Sequence, residues 1–120
     1  MERLRQRADF LAAATGSKIP AAAFVLQARK RKDDDEGPVR IGFTVTKKIG
    51  NAVVRNRIRR RLREIVRLAA TAPLRAGYDY VLVGRRAALS LTFARMAEEF
   101  DGALRRLHAG HGKAIRASVS

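Results

Sequence analysis

Between about Ala52 and Ala70, aliphatic residues recur at steps of three and four: Val54, Ile58, Leu62, Ile65 and Ala69. At about 100° per residue they fall on one side of an α-helix. Most positions between them are arginine. With Ile58 at the centre of the apolar side, Asn56, Arg60, Arg63 and Arg67 point away from it, and Arg57 and Arg59 flank that outward face. Arg55 and Arg61 lie nearer the boundary, where a long stem can run along apolar surface while its head stays wet. Such a helix must lie as an outer layer on a core built by other elements. The pattern on both sides of it is that of strands.

Upstream, Leu4 to Ala14 predicts a short helix with Leu4, Ala8, Leu11 and Phe10 on its apolar side, ended by Gly16. Lys18 to Pro20 fits a short edge strand, where proline is tolerated. Ala23 to Arg31 reads as a strand through Phe24, Val25, Leu26 and Ala28. The run Asp33 to Pro38 is a turn by composition. Val39 to Thr46 alternates Ile41, Phe43 and Val45 against Arg40, Gly42, Thr44 and Thr46, as a strand should. These two strands are expected to pair as a hairpin over the acidic loop.

Downstream, Thr71, Ala72 and Pro73 close the long helix. Tyr78 to Arg85 is a third long strand, and its apolar stretch Tyr80 to Val83 suits a central position buried on both faces. A last helix covers about Thr92 to Leu107, with Phe93, Met96, Ala97, Phe100, Ala103, Leu104 and Leu107 on its core side. His108 onward predicts a basic, frayed tail. The expected organisation is one domain over residues 1–107 and a tail over 108–120, without repeat or linker.

Lysine and arginine total 26 against 11 acids, a formal charge of +15 on 120 residues. A hydrophobic fraction of 47% argues against wholesale disorder, so the charge speaks of a polyanionic partner. The absence of cysteine excludes disulfides, zinc knuckles and thiol chemistry. No apolar run reaches the roughly 18 residues of a membrane span. The first residues carry Glu2 and Asp9 and lack a secretory core, so the chain reads as cytoplasmic and mature. Arginine outnumbers lysine, which fits bidentate phosphate recognition and fits genomic base composition equally.

The cations concentrate in one place. Lys47, Lys48, Arg55, Arg57, Arg59, Arg60, Arg61, Arg63 and Arg67 face a single acid, Glu64. Like charges four residues apart each destabilise an isolated helix by a few tenths of a kcal/mol. Lysines before a helix start oppose its dipole, and a phosphate there would satisfy dipole, free N–H groups and lysines together. The unrelieved repulsion points to an external polyanion; composition alone leaves RNA, DNA and an acidic membrane surface open. No catalytic constellation accompanies it. Asp33 to Glu36 fall in a turn, Glu98, Glu99 and Asp101 on the exposed side of a helix, and His108 and His111 in the tail. These read as solvated groups rather than a magnesium site or an acid–base pair.

The residue identities narrow the choice. The stretch Thr46-Lys47-Lys48-Ile49-Gly50-Asn51-Ala52-Val53-Val54-Arg55-Asn56-Arg57, continuing through Ile58 to Glu64, closely resembles the signature of the bacterial ribonuclease P protein family. That family carries an Arg-Asn-Arg core after a Lys-Lys-hydrophobic-Gly-Asn-Ala stretch. The resemblance extends outward to Arg7, Asp9, Phe10 and Gly16, to Phe24-Val25-Leu26 and Ile41-Gly42-Phe43, to the strand from Asp79 to Arg85, and to Leu91-Thr92-Phe93.

The resemblance implies an α+β fold: an α/β sandwich of helix, strands, helix, strand and helix around a mostly antiparallel four-stranded sheet, ribosomal protein S5 domain 2-like. It implies a left-handed crossover through the long helix, against the usual right-handed preference. It implies a protein subunit that assists a catalytic RNA, with magnesium serving the RNA-catalysed removal of the 5′ leader from precursor tRNA. Catalytic residues and bound cofactors are not expected on the protein, nor are membrane or DNA partners. Lys47, Lys48, Arg55, Asn56, Arg57, Arg59, Arg60 and Arg63 would contact RNA. Asn56 has two readings of equal weight, a local hydrogen bond near the helix start or an orienting role at the RNA. Phe10, Gln27 and Arg85 would line a cleft for the single-stranded leader, with Phe10 equally readable as core. Ala14 and Gln27 stand where family members often carry aromatics, so leader contacts should be weaker or more polar. The runner-up function is a general RNA-binding or ribosomal-type structural protein; a DNA-binding regulator ranks third.

Overall fold

The structure is a computed structural model and describes residues 2–4, 6–31, 37–68 and 74–109. Five strands form one sheet: β1 (Glu2–Arg3), β2 (Ser17–Pro20), β3 (Phe24–Lys30), β4 (Arg40–Thr44) and β5 (Tyr78–Gly84), in the spatial order β1-β4-β5-β3-β2. Three helices cover it: α1 (Arg7–Ala14), α2 (Ala52–Leu68) and α3 (Phe93–His108). This is the mixed α+β architecture the sequence implies.

The strand β5 takes the centre. It pairs antiparallel with β3, Leu26 opposite Leu82, and parallel with β4, Phe43 opposite Leu82. Tyr80, Val81 and Leu82 are buried, because helices cover both faces of the sheet here. The expected hairpin of β3 and β4 is therefore absent: β5 stands between them. The apolar run of β5 takes the central position, with β4 and β3 beside it and the short β1 and β2 at the edges. Residues 32–36 of the connecting loop, with the predicted acidic turn, lie outside the described residues, as do Ala69 to Pro73.

Alternation sorts the side chains onto two faces. Phe24, Leu26, Ala28, Ile41, Val45, Tyr80 and Leu82 pack against Ile58, Leu62 and Ile65 of α2 and Met96, Phe100 and Leu104 of α3. The rings of Phe24 and Phe100 meet edge to face at 6.3 Å. The opposite face carries a smaller cluster of Leu4, Ala13 and Val81, with Phe10 and Val83 packed against it. α1 covers that side.

Three local expectations are corrected. Leu4 belongs to no helix: its N–H bonds the Ile41 carbonyl at 2.7 Å, continuing the short β1 strand that adds a second parallel pair beside β4. α1 begins at Arg7, buries Ala13, and leaves Ala8 and Leu11 exposed, Leu11 by 57%. α3 extends to His108, so this residue is no part of a frayed tail. Its Nε2 lies 2.8 Å from the Tyr80 hydroxyl, which also accepts the Arg75 N–H at 3.0 Å.

A buried charge cluster ties α1 to the sheet. Asp79 is fully buried in β5 and receives Arg40 at 2.7 Å, Arg31 at 2.5 Å and Arg29 at 3.1 Å. Arg40 also reaches Asp9 of α1 at 3.4 Å. Burial alone would raise the Asp79 carboxyl, but the hydrogen bonds from Arg40, Arg31 and Arg29 prevail and hold it below the usual carboxylate range. Glu99, expected in solvent, instead accepts the N–H groups of Ala22 at 3.4 Å and Ala23 at 3.2 Å and pins the β2–β3 turn.

Candidate nucleic-acid interface

α2 starts where its sequence says it should. Asn51 accepts the Val54 N–H on its side chain at 3.0 Å, an N-cap that satisfies one free donor of the first turn. The loop before it forms a 3-10 turn, Lys47–Ile49, fixed from outside by Arg86, whose guanidinium donates to the Ile49 carbonyl at 2.6 Å. Lys47 and Lys48 are exposed on this turn, next to the start of α2.

Along α2 the buried residues are Ile58, Leu62, Ile65 and Val66. Asn56, Arg57, Arg60, Arg63 and Arg67 are exposed and Arg55 and Arg61 half-buried, as the helical projection expects; Arg59, expected beside Arg57 on the outward flank, is half-buried as well. The eight predicted ridge residues thus occupy the Lys47–Ile49 turn and the outward and flanking sides of α2. Asn56 accepts a hydrogen bond from Arg59 on Oδ1, so its local reading holds in this state. Arg67 pairs with Glu64, Nε to Oε2 at 3.2 Å. Among the described residues, Lys47, Lys48, Arg57, Arg60 and Arg63 have no ion-pair partner.

The crowding has an electrostatic signature. Burial, then the neighbouring charges of Arg3 and Arg59, push the Arg63 guanidinium below its ordinary range. Arg3 comes from β1, far away in sequence, and joins the ridge only because β1 pairs beside β4. A pairing of two residues at the chain start leaves no periodic signal, so sequence reasoning missed it.

Arg61 plays a different part. Its Nε donates to the Ala88 carbonyl at 2.7 Å, another guanidinium N–H donates to the Leu91 carbonyl, and its Cζ stands 4.4 Å above the centre of the Phe93 ring. It locks α2 to the start of α3, whose N-cap Thr92 accepts the Arg95 N–H at 3.1 Å. Phe93 was expected in the core. It is 38% exposed instead and lines a groove with Arg57, Arg60, Arg61 and Glu64.

The second predicted set lies across the sheet. Phe10 sits on Gly42 of β4, so closely that a Cβ on the glycine would stand 2.7 Å from the ring. Gln27, half-buried, is paired with Val81, and residues directly opposite share a face, so Gln27 lies on the α1 side. Arg85 is exposed one residue past β5, its guanidinium donating to the Ala21 carbonyl at 3.0 Å. Phe10 is half-buried: it packs against the small cluster and keeps part of its surface open. Lys18 was missed. It pairs with Gln27 from the edge strand β2 and brings a cation to that same face; alternation from buried Ile19 was the signal available.

A phosphate-bearing chain fits these surfaces. Unpaired guanidinium groups provide charge-assisted donors, and a half-open aromatic beside a lysine provides stacking and charge. Among the described residues, no group of three or more histidine, aspartate or glutamate side chains converges as metal ligands would, and no helix is long and apolar enough to cross a membrane.

Comparison with known proteins agrees in sequence and in shape. The family model for ribonuclease P matches residues 1–108. The ribonuclease P protein component of Gluconacetobacter diazotrophicus is 51% identical over 105 residues, 87% of this chain and 89% of that protein. The one from Ruegeria pomeroyi is 47% identical over 107 residues, 88% and 86% of the two chains. Among solved structures, the RNase P protein from Thermotoga maritima superimposes with a TM-score of 0.69 at 31% identity, covering 88% of this chain and 97% of that one. The Staphylococcus aureus RNase P protein gives 0.67 at 28% identity, covering 88% and 94%.

Proposed function

The chain belongs to the bacterial ribonuclease P protein family, and on that premise we propose how it works: as the protein subunit that helps a catalytic RNA remove the 5′ leader from precursor tRNA. The chemistry and its magnesium ions reside with the RNA, and this chain supplies binding. Lys47, Lys48, Arg55, Asn56, Arg57, Arg59, Arg60 and Arg63 dock the RNA subunit. Phe10, Gln27 and Arg85 line the path of the single-stranded leader, and Lys18 joins them. The setting is the cytoplasm, without DNA or membrane partners.

The observation that carries this reading is the ridge. Its cations Lys47, Lys48, Arg55, Arg57, Arg59, Arg60 and Arg63 form no ion pair among the described residues, along a turn and a helix whose opposite side is committed to the core. An RNA backbone supplies their counter-charge and releases its own bound ions on doing so. The two surfaces lie on opposite sides of the sheet, so one protein can hold the ribozyme and the leader at once. The Asp79 and Asp9 ion pairs keep α1, and with it Phe10, in a fixed place beside the leader path.

Reconstitution tests the proposal. Purified protein added to a bacterial ribonuclease P RNA at low magnesium should restore precursor cleavage that the RNA alone performs poorly. An unchanged rate would remove the tRNA-processing role and leave general RNA binding. Nuclease activity of the protein alone, lost on replacing a carboxylate, would place the chemistry on this chain instead.

A further inference from the structure

The groove between α2 and the start of α3 is built differently from the rest of the ridge. Its floor is aromatic: Phe93 is exposed by 38% at a position where helical periodicity asks for a core residue. Its wall includes a guanidinium that is already spent. Arg61 gives its donors to the Ala88 and Leu91 carbonyls and lies 4.4 Å above the Phe93 ring, so it presents a fixed flat surface rather than a free charge. Arg57 and Arg60 stand at the rim, without ion-pair partners among the described residues. Glu64 closes the remaining side.

The interior of the groove suits a base. The Glu64 carboxylate, though paired with Arg67, keeps lone pairs that can accept the amino protons of a base edge. A ring under a guanidinium plane is a stacking platform, and single-stranded RNA is recognised by stacking its splayed bases on such surfaces. The rim arginines are where the flanking phosphates would fall. We propose that this groove is a nucleotide subsite, in which one unpaired base of the RNA subunit stacks on the Phe93–Arg61 pair while Arg57 and Arg60 hold the adjoining phosphates. The inference rests on the ridge as the docking face for the RNA subunit. It assigns the base to that RNA and not to the leader, because the groove opens on the α2 side of the sheet and Phe10 lies on the other.

The chain contains no tryptophan, so Phe93→Trp introduces a sole indole reporter. Titrated with the RNA subunit, its emission should be quenched in step with binding measured independently by filter retention. Precursor tRNA without the RNA subunit should leave the emission unchanged. Full binding of the RNA subunit with unaltered emission overturns the subsite, and quenching by precursor tRNA alone overturns its assignment. Phe93→Leu provides a second measurement, keeping an apolar contact while losing the ring. Its affinity for the RNA subunit should fall about 5- to 150-fold, the span reported for one stacked base, with the salt dependence unchanged because no phosphate contact is lost. Wild-type affinity in that variant, or a loss with a flattened salt dependence, defeats the proposal. Wild-type protein is assayed alongside: if it activates the RNA while both variants match it, only the subsite falls, and if it does not activate, the docking reading falls as well.

Discussion

The Phe10 ring rests on Gly42 with no room for a side chain between them: a methyl group there would stand 2.7 Å from Cε1 and Cζ. The absence of a side chain on one strand thus sets how deeply an aromatic from α1 enters the sheet face. Gly42→Ala should push the ring outward and cost about 1–3 kcal/mol as overpacking, readable in urea unfolding. The same variant should lose affinity for precursor tRNA more than for mature tRNA in the reconstituted enzyme.

Phe10→Ala tests the ring itself. It should narrow the preference for precursor over mature tRNA, with the RNA subunit bound as before. Equal losses for both tRNA forms, in a variant that melts normally, would count against a leader contact.

Arg60 and Arg61 are neighbours with opposite duties. Arg60→Ala, like Arg57→Ala, should leave unfolding unchanged, weaken RNA-subunit binding, and lower the salt slope by about 1 through loss of a phosphate contact. Arg61→Ala removes charge-assisted hydrogen bonds to two backbone carbonyls. It should cost about 1.5–3 kcal/mol of stability, detected by urea titration without any RNA present.

Asp79 makes stability acid-sensitive. Its folded pKa is depressed, so its contribution is complete above the unfolded value of about 4 and is lost as pH falls through the lower folded value. Asp79→Asn should destabilise the protein at neutral pH by about 3–5 kcal/mol, because three arginines lose the buried carboxylate they share. Unfolding curves between pH 3 and 7 would show the acid-side slope shrinking in the variant.

His108 acts in a higher window. Burial, then the nearby Arg75 charge, lowers its pKa below the ordinary imidazole value of about 6.5. The unfolded chain therefore binds the proton first, and stability should decline as pH falls from about 6.5 through the folded value. His108→Ala should be less stable at pH 7.5, having lost its contacts with the Tyr80 hydroxyl and the Tyr78 ring. It should also show a flatter profile between pH 5 and 7. A wild-type profile without slope there would show the imidazole untied from Tyr80.

Much of this was legible in the chain because it is periodic and local. The aliphatic steps of α2 defined the buried side, and the outward arginines followed from the same geometry. β5 as a doubly buried strand and Lys18 to Pro20 as an edge strand are likewise neighbourhood properties. The outward residues Asn56, Arg57, Arg60, Arg63 and Arg67 are exposed as expected, since a helix carries its own coordinate system; Arg59 alone is more buried than its flank position asked.

What depended on non-local pairing was not legible. Whether β3 meets β4 or β5 is decided by which partner covers the most apolar strand. The burial of Asp79, the arrival of Arg3 beside Arg63, and the grip of Glu99 on the β2–β3 turn all follow from that choice. Phe93 shows the limit from the other side: periodicity sent it to the core, yet Arg61, pinned to two carbonyls, draws it to the surface. Sequence alone determined the longer elements, the charge and the family, because these rest on residues close together along the chain. Only the tertiary structure decided the strand order, the buried ion pairs and the groove at Phe93, because those arise where distant segments compete for the same contacts.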